Sequence, residues 1–283
     1  MKWLVQEFLN SSANSIRIAN ALEKCSIDYL LVRVNKDETL SVIDKENKMP
    51  LDNSGKVIQE YVLNEPVMVY GSKTFAEIAE DMELEPGSFM NEQFEFDVFR
   101  DVLGSELLNQ HFVIGELSEL EPMADKFFIR PTGNTKLIPG MTVTKEDFLS
   151  WKERESKNEN SPYIGQSLMI SPIQEIEAEY RFFVVNQEIV TGSSYKVGNN
   201  IDTTRKPSKD ILQYTKKMID RFPLAKAFVI DVAETKNGLK VVEYNNINTS
   251  GLYGCDELAF VRSINDLDFN IGMELKSGPS HFK

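Results

Sequence analysis

Residues 230–248 read IDVAETKNGLKVVEYNNIN, and the way this stretch folds back on itself decides how the rest of the chain is read. Two runs rich in β-formers flank Lys236-Asn237-Gly238, a hairpin signal. If Asn237-Gly238 is a two-residue loop, Lys236 faces Leu239 and Asp231 faces Tyr244. Asp231 then shares a face with Val242 and Tyr244. If the loop has three residues, with Gly238 in the left-handed position, Thr235 faces Leu239, Asp231 faces Glu243 and Val229 faces Asn245. This second register sorts the side chains better. Phe228, Ile230, Val232, Val242 and Tyr244 make an apolar face, and Asp231, Glu243 and Asn245 gather on the other.

Two carboxylates directly opposite on a sheet stand roughly 5 Å apart at Cβ and repel. A solvated acidic face is the plain reading of such a pair. The chemical one is a bound divalent cation, which removes the repulsion. Two carboxylates and an amide supply hard oxygen ligands that suit Mg²⁺ or Mn²⁺, with phosphate oxygens completing the shell.

Working outward, the 283 residues are 41% hydrophobic and 27% charged, an ordinary globular composition. The length allows two structural units. A formal net charge of −13 argues against a protein that coats nucleic acid, which needs basic patches. MKWLVQEFLN does not read as a signal peptide, and no stretch approaches the roughly 18 apolar residues of a membrane span. Cys25 and Cys255 form no CxxC pattern and read as reduced thiols of a cytoplasmic protein. His111 and His281 are isolated in sequence, which argues against a histidine metal site or a histidine-dependent triad.

The first third alternates strands (KWLVQEF, DYLLVRV, EPVMVYGS) with helical stretches (residues 15–25 and TFAEIAEDM), as expected for a small α/β unit with a mainly parallel sheet. EPGSFMNEQF reads as a loop and FDVFRDVLGSELLNQ as a helix that runs through Gly104. HFVIGELSEL reads as a strand, with a domain boundary near residue 115. Beyond it, TKEDFLSWKERE reads as a helix capped by Thr144, with an acidic first turn. SLMISPIQEI reads as a strand that turns at Pro172. AEYRFFVVNQEIVTGSSYKV reads as two strands around Asn186-Gln187. PSKDILQYTKKMIDRF reads as an amphipathic helix burying Ile211, Leu212, Met218, Ile219 and Phe222.

The order of motifs is specific. AEYRFFVVNQEIV at 178–190, then the 230–248 hairpin, resembles the C-terminal half of the ATP-grasp fold, in particular the RimK-like ATP-grasp proteins of bacteria and phages. That family carries an acidic-x-Arg strand, then an Asp on one strand and Glu-x-Asn on the next. Glu179-Tyr180-Arg181 matches the first, and Asp231 with Glu243-Tyr244-Asn245 matches the second. FFIRPTGNTKLIPG at 127–140 is similar to the phosphate-facing strand and loop, and PGSFMNEQFEFDVFRDVLG at 86–104 to the leader region. PTGNTK is not a Walker A loop, since it lacks GxxxxGK[ST].

The resemblance implies an α/β (α+β) ATP-grasp fold in which two α+β subdomains clasp ATP behind a small N-terminal α/β domain. Residues 1–115 would be that pre-ATP-grasp domain and 116–283 the ATP-grasp domain, with a hinge near 170–178. Asp231, Glu243 and Asn245 would hold Mg²⁺ (or Mn²⁺) against the ATP phosphates, with Arg130 and Lys136 reaching phosphate oxygens. Ile170 and Ser171 would offer backbone to adenine, with Pro172 removing one donor, and Gln174 or Glu175 would hold the ribose. Arg181 would stabilise the γ-phosphate or an acyl-phosphate, and Asn248 and Ser250 in NINTSGLYGCD would face the acceptor substrate. The activity implied is that of an ATP-dependent carboxylate–amine (or carboxylate–thiol) ligase working through an acyl-phosphate on small-molecule or peptide substrates. An ATP-binding regulatory or phage–host interaction protein that keeps the fold without ligase activity is the rival, and a kinase the third reading.

Overall fold

The computed structural model describes residues 1–7, 13–133, 138, 140–198 and 200–269. Three sheets organise the described residues. The first is built from β1 (Lys2–Gln6), β2 (Tyr29–Val34), β3 (Leu40–Ile43), β4 (Val67–Tyr70) and β5 (Pro86–Gly87), in the order β3-β2-β1-β4-β5. All its pairings are parallel except β2 with β3, as the alternating pattern predicts. Helices α1 (Ala13–Lys24), α2 (Ser54–Val62) and α3 (Lys73–Asp81) belong to this unit. The sequence reading passed over β3 and α2. Both lie in the polar stretch around VNKDETLSVIDKENKMPLDNSG, where turn residues mask a short apolar run.

α4 (Phe96–Leu103) stops where the sequence reading carried it on. Gly104 has φ +53° and closes the helix, and the chain continues as a 3₁₀ turn over Gly104–Glu106. A glycine that frees the left-handed region at a helix end is a stop signal.

The second sheet, in the order β6-β9-β7-β8, comprises β6 (Val113–Glu116), β7 (Lys126–Pro131), β8 (Met141–Thr144) and β9 (Ser167–Ser171), with α5 (Lys145–Ser156). The Thr144 hydroxyl accepts the Asp147 amide hydrogen, so the predicted cap of α5 holds. The third sheet, β12-β11-β10-β13-β14, comprises β10 (Ile176–Val185), β11 (Glu188–Val197), β12 (Asn200–Ile201), β13 (Ala227–Thr235) and β14 (Gly238–Asn245). α6 (Lys209–Arg221) and α7 (Glu257–Asn265) complete the described elements. On α6, Ile211, Met218 and Ile219 are buried and Phe222 follows them, but Leu212 is exposed. Thr215 takes its place, with its hydroxyl donated to the Ile211 carbonyl.

The β13–β14 hairpin differs from both predicted registers at its turn. Thr235 pairs with Gly238, so the loop is Lys236-Asn237, and Gly238 has φ +98°. A bulge between Asp231 and Val232 then adds one residue to β14 and restores Asp231 opposite Glu243 and Val229 opposite Asn245. Val242 is the extra residue. Val241 consequently joins Phe228, Ile230, Val232 and Tyr244 in a core beneath α4 and α6, where Val242 had been expected.

The opposite face of the same sheet has two ends. At one, Phe183, Val185, Ala227 and Val229 join Trp3, Val5, Ile18, Leu22, Met68 and Tyr70 of the N-terminal unit and Phe260, Val261 and Ile264 of α7 in a single core. At the other stand Arg181, Asp231, Glu243 and Asn245.

Candidate active site

β10 and β13 lie side by side with Arg181 directly opposite Asp231. Arg181 donates from Nε to Asp231 Oδ1 at 2.9 Å and from Nη2 to Oδ2 at 2.7 Å. Both groups are sunk in the fold, Asp231 at 0% exposure and Arg181 at 8%. Burial pushes the Asp231 carboxyl up to about 6 against the pull of Arg181, with Glu243 and Glu179 adding to the rise. Burial works against the Arg181 charge as well, yet Asp231 holds it on the guanidinium, whose pKa lies above its ordinary value. The guanidinium also lies over the rings of Tyr195 and Tyr253, at 5.5 and 5.1 Å from their centroids, and these two rings stack on each other at 5.0 Å.

The strand partner supplies the rest. Asn245 donates from Nδ2 to Glu243 Oε1 at 2.9 Å and to Asp231 Oδ2 at 3.3 Å, so the amide ties the two carboxylates together. Arg130, at the end of β7 in the other sheet, donates from Nη1 to Glu243 Oε2 at 3.1 Å. The repulsion expected between Asp231 and Glu243 is therefore offset in the protein itself, by one arginine each and a shared amide. Glu179 is paired in the same way, with Lys196 Nζ at 3.2 Å and the Tyr195 hydroxyl, which donates to its Oε2 at 2.5 Å. Burial pushes the Tyr195 hydroxyl up, and the neighbouring Asp231 and Glu179 carboxylates push it further.

Glu243, Asn245, Glu179, Lys196, Tyr195 and Arg130 line one cleft of about 650 Å³ between the second and third sheets. Phe94, Phe99, Phe128, Met141, Ile173 and Tyr244 form its apolar wall, and Thr132, Gly133 and Gln174 complete the polar lining. This volume and mixture suit a nucleotide-sized ligand. Among the described residues, no three of the His, Cys, Asp and Glu side chains form a metal cluster, so the donor set is two carboxylates and an amide. That set fits one hard cation on chemical grounds, with Glu243 about one-third exposed on the cleft and Asp231 buried behind it, joined to it through Asn245 Nδ2. The Arg130 Nε is buried without an acceptor at the cleft wall, a donor that an anionic ligand would satisfy.

The other sequence candidates fall into distinct places. Gln174 lines the cleft. Ile170 lies within β9, paired on both sides with Val113 and Ile129, and its side chain packs in the core of the second sheet. Ser171 ends that strand fully buried, and its hydroxyl has no partner. Glu175 is exposed and pairs with Lys236, away from the cleft lining. Lys136 lies outside the described residues. Asn248 and Ser250 are buried on the N-terminal side. The Ser250 hydroxyl is donated to the Asn246 carbonyl, the Ser250 carbonyl accepts from Tyr70 Oη, and the Asn248 carbonyl accepts from the Gly71 amide.

Lys196 and Tyr195 are cleft residues that the sequence reading did not name. A strict alternation puts neighbours on opposite faces, but β11 bulges between Ser194 and Lys196, so Tyr195 and Lys196 both reach the cleft. The only sequence hint is Gly192 in VTGSSYKV, where a Cβ would stand 2.3 Å from the Phe182 ring.

Comparison with solved structures finds the same architecture in D-alanine–D-alanine ligase from Coxiella burnetii, at a TM-score of 0.59 and 14% identity, covering 93% of this chain and 90% of that one. The Helicobacter pylori D-alanine–D-alanine ligase gives a TM-score of 0.59 at 13% identity, over 93% and 98% of the two chains. D-cycloserine synthetase DcsG gives 0.62 at 10% identity, over 93% and 98%. At such identities the likeness is one of fold. No curated protein matches the sequence. A family model, "ATP-grasp domain, R2K clade family 2", matches residues 107–263, and with more than half of the 283 residues inside that match the chain belongs to this ATP-grasp family.

Proposed function

We propose that the protein is an ATP-dependent carboxylate–amine ligase that activates a small-molecule or peptide carboxylate as an acyl-phosphate and passes it to an amine. The observation that carries this reading is the convergence of Glu243 and Asn245 with Arg130 and Lys196 on one nucleotide-sized cleft in an ATP-grasp fold, with Asp231 buried behind them and hydrogen-bonded to Asn245. Each acid there has a basic partner: Glu179 with Lys196, Asp231 with Arg181, Glu243 with Arg130. The Asp231–Arg181 pair is buried, and a cation would share Asp231 with the guanidinium. The other two are open to the cleft, and phosphate oxygens entering there would draw Arg130 and Lys196 away, leaving Glu243 free for a cation. Mg²⁺ (or Mn²⁺) would supply charge neutralisation between the carboxylates and the phosphates.

On this reading Arg130 and Lys196 hold phosphate, with Lys136 of the adjoining loop as a further candidate. Arg181 fixes the orientation of Asp231. Gln174 is the ribose candidate, and the Ile170–Ser171 backbone the adenine candidate. We place the hinge of the clasp at residues 170–178, where the chain leaves β9 for β10, and the start of the ATP-grasp domain near residue 115. The two unpaired cysteines support a place in the cytoplasm.

The test is coupled ADP release with Mg-ATP against a panel of amino acids and short peptides, each supplied as carboxylate and as amine. Turnover that needs both partners supports the ligase. ATP binding with no turnover across the panel favours the rival, a nucleotide-binding protein without ligase activity. A stable phosphorylated product formed without an amine would make it a kinase.

A further inference from the structure

Arg17 of α1 reaches across to the far end of the chain. Ile18, Ala21 and Leu22 of the same helix pack with Phe260, Val261 and Ile264 of α7 in one core, which sets Arg17 beside the turn that enters α7. Arg17 donates from Nη1 to the Tyr253 carbonyl at 2.6 Å, and from Nη2 to the Cys255 carbonyl at 2.7 Å and to Glu257 Oε2 at 2.6 Å. The planar guanidinium thus grips the chain on both sides of Gly254, and the Glu257 carboxylate orients it.

The residue it grips has an unfavourable backbone conformation. Tyr253 has φ +46°, in the left-handed region that a residue with a side chain seldom enters. Such a conformation persists only where the surroundings fix it. Besides Arg17, the Gly254 amide is donated to Ser193 Oγ at 3.1 Å and the Cys255 amide to the Leu252 carbonyl at 2.8 Å.

The turn closes on Arg181. The Tyr253 ring stacks on Tyr195 and lies over the Arg181 guanidinium, and Arg181 Nη1 donates to the Gly251 carbonyl at 3.4 Å. Tyr253 is exposed, whereas Arg181 is buried beneath it. Asp231 takes the Nε and Nη2 donors of Arg181, and residues 251–253 take Nη1 and a face of the guanidinium.

We infer that Arg17 is a positioning residue of the cleft. From the N-terminal unit it locks the turn at 251–255, the turn holds Tyr253 against Arg181, and Arg181 is thereby kept on Asp231. Its bearing on the reaction rests on the ligase reading; the coupling of Arg17 to Arg181 does not.

The experiment follows hydrogen exchange at the Arg181 Nε–H by nuclear magnetic resonance on the intact protein, beside Mn²⁺ binding in the presence of ATP read by electron paramagnetic resonance. Arg17→Met should speed the exchange about tenfold or more, as for one charge-assisted hydrogen bond lost from the turn. It should weaken Mn²⁺ binding about tenfold, as expected when a group that orients a metal ligand is loosened. Arg17→Lys keeps the charge opposite Glu257 but not the fork that spans two carbonyls, so it should restore neither. Tyr253→Leu should speed the Arg181 exchange as much, and Arg17→Met added to it should change nothing further.

An arginine that only braces α1 against α7 predicts Arg181 exchange unmoved, recovery in Arg17→Lys, and additive effects. Any one of these overturns the inference, as does unchanged Mn²⁺ affinity in Arg17→Met. If Arg17→Met fails to fold, Arg17→Lys and the exposed Tyr253→Leu decide. Wild type that binds no Mn²⁺ with ATP, while Arg181 exchange responds as expected, would sink the ligase reading and leave the coupling standing. Binding of Mn²⁺ with ATP, while Arg181 exchange is unmoved, would do the reverse.

Discussion

Replacing Arg181 with methionine should destabilise the protein by about 3–5 kcal/mol at pH 7, the range for stranding one member of a buried ion pair. The structure places the cost on Asp231. It is 0% exposed, both of its oxygens accept from Arg181, and Asn245 Nδ2, at 3.3 Å, is the remaining donor. Its carboxyl already stands near 6 with the arginine present. Without it the folded-state pKa rises further above the ordinary 3.8.

A carboxyl with a raised folded pKa binds its proton more tightly in the folded state, so stability falls as pH rises from about 4 to that pKa and is level above it. The variant should therefore regain stability on acidification from pH 7 to 5.5, by at most about 1.4 kcal/mol per pH unit. Wild type, with its window ending near 6, should gain less. The lost contacts with Tyr195 and Tyr253 do not depend on pH in this range, so the pH-dependent part isolates the charge. Urea unfolding at both pH values would measure it, with Arg181→Met/Asp231→Asn as the partner that removes both charges. That double variant should be more stable than Arg181→Met alone at pH 7 and lack the extra pH dependence. A cost below about 1 kcal/mol for Arg181→Met, or one equal at the two pH values, would refute the reasoning.

Glu243→Gln removes a partly exposed ion pair with Arg130, so its melting point should move little, by the equivalent of about 1 kcal/mol or less, while Mn²⁺ binding read by electron paramagnetic resonance in the presence of ATP falls at least tenfold. Because a proton competes for Asp231, the same Mn²⁺ signal in wild type should weaken below pH 6, approaching tenfold per pH unit. Lys196→Ala should weaken ATP binding in calorimetry while leaving the fold intact by circular dichroism, since its amine is half-exposed on the cleft. Gly192→Ala should cost about 1–3 kcal/mol in urea unfolding, because the new Cβ meets the buried Phe182 ring at 2.3 Å.

The pairing of Asp231 with Glu243 was legible because apolar and polar residues sort cleanly on that hairpin. The route to it was not. A two-residue turn and a bulge give the same pairing as the three-residue turn read from Lys236-Asn237-Gly238, and only the exchange of Val241 for Val242 in the core tells them apart. The arginine partners were hidden for a different reason. Arg130 and Arg181 stand 113 and 50 positions from the acids they neutralise, and a hairpin read alone shows charge without its counter-charge. Lys196 escaped because a bulge breaks the alternation on which strand reading depends. Asn248 and Ser250 were singled out together by the sequence, yet they point into contacts with Ser72 and Asn246 that depend on where the N-terminal unit docks.

The core that joins Trp3, Ile18 and Tyr70 to Val229, Ile247 and Phe260 bears on how this chain can be cut. The family segment, residues 107–263, carries the third sheet but omits every N-terminal residue that covers Phe183, Val185 and Val229. Expressed alone, that fragment would present a contiguous apolar face to water, the kind of surface that drives aggregation. It would also lose Arg17, which donates to the carbonyls of Tyr253 and Cys255 and pairs with Glu257. The smallest soluble form of this fold should begin at β1, and a library of N-terminal truncations should show solubility failing as soon as Trp3 and Val5 are removed, long before the matched segment is reached.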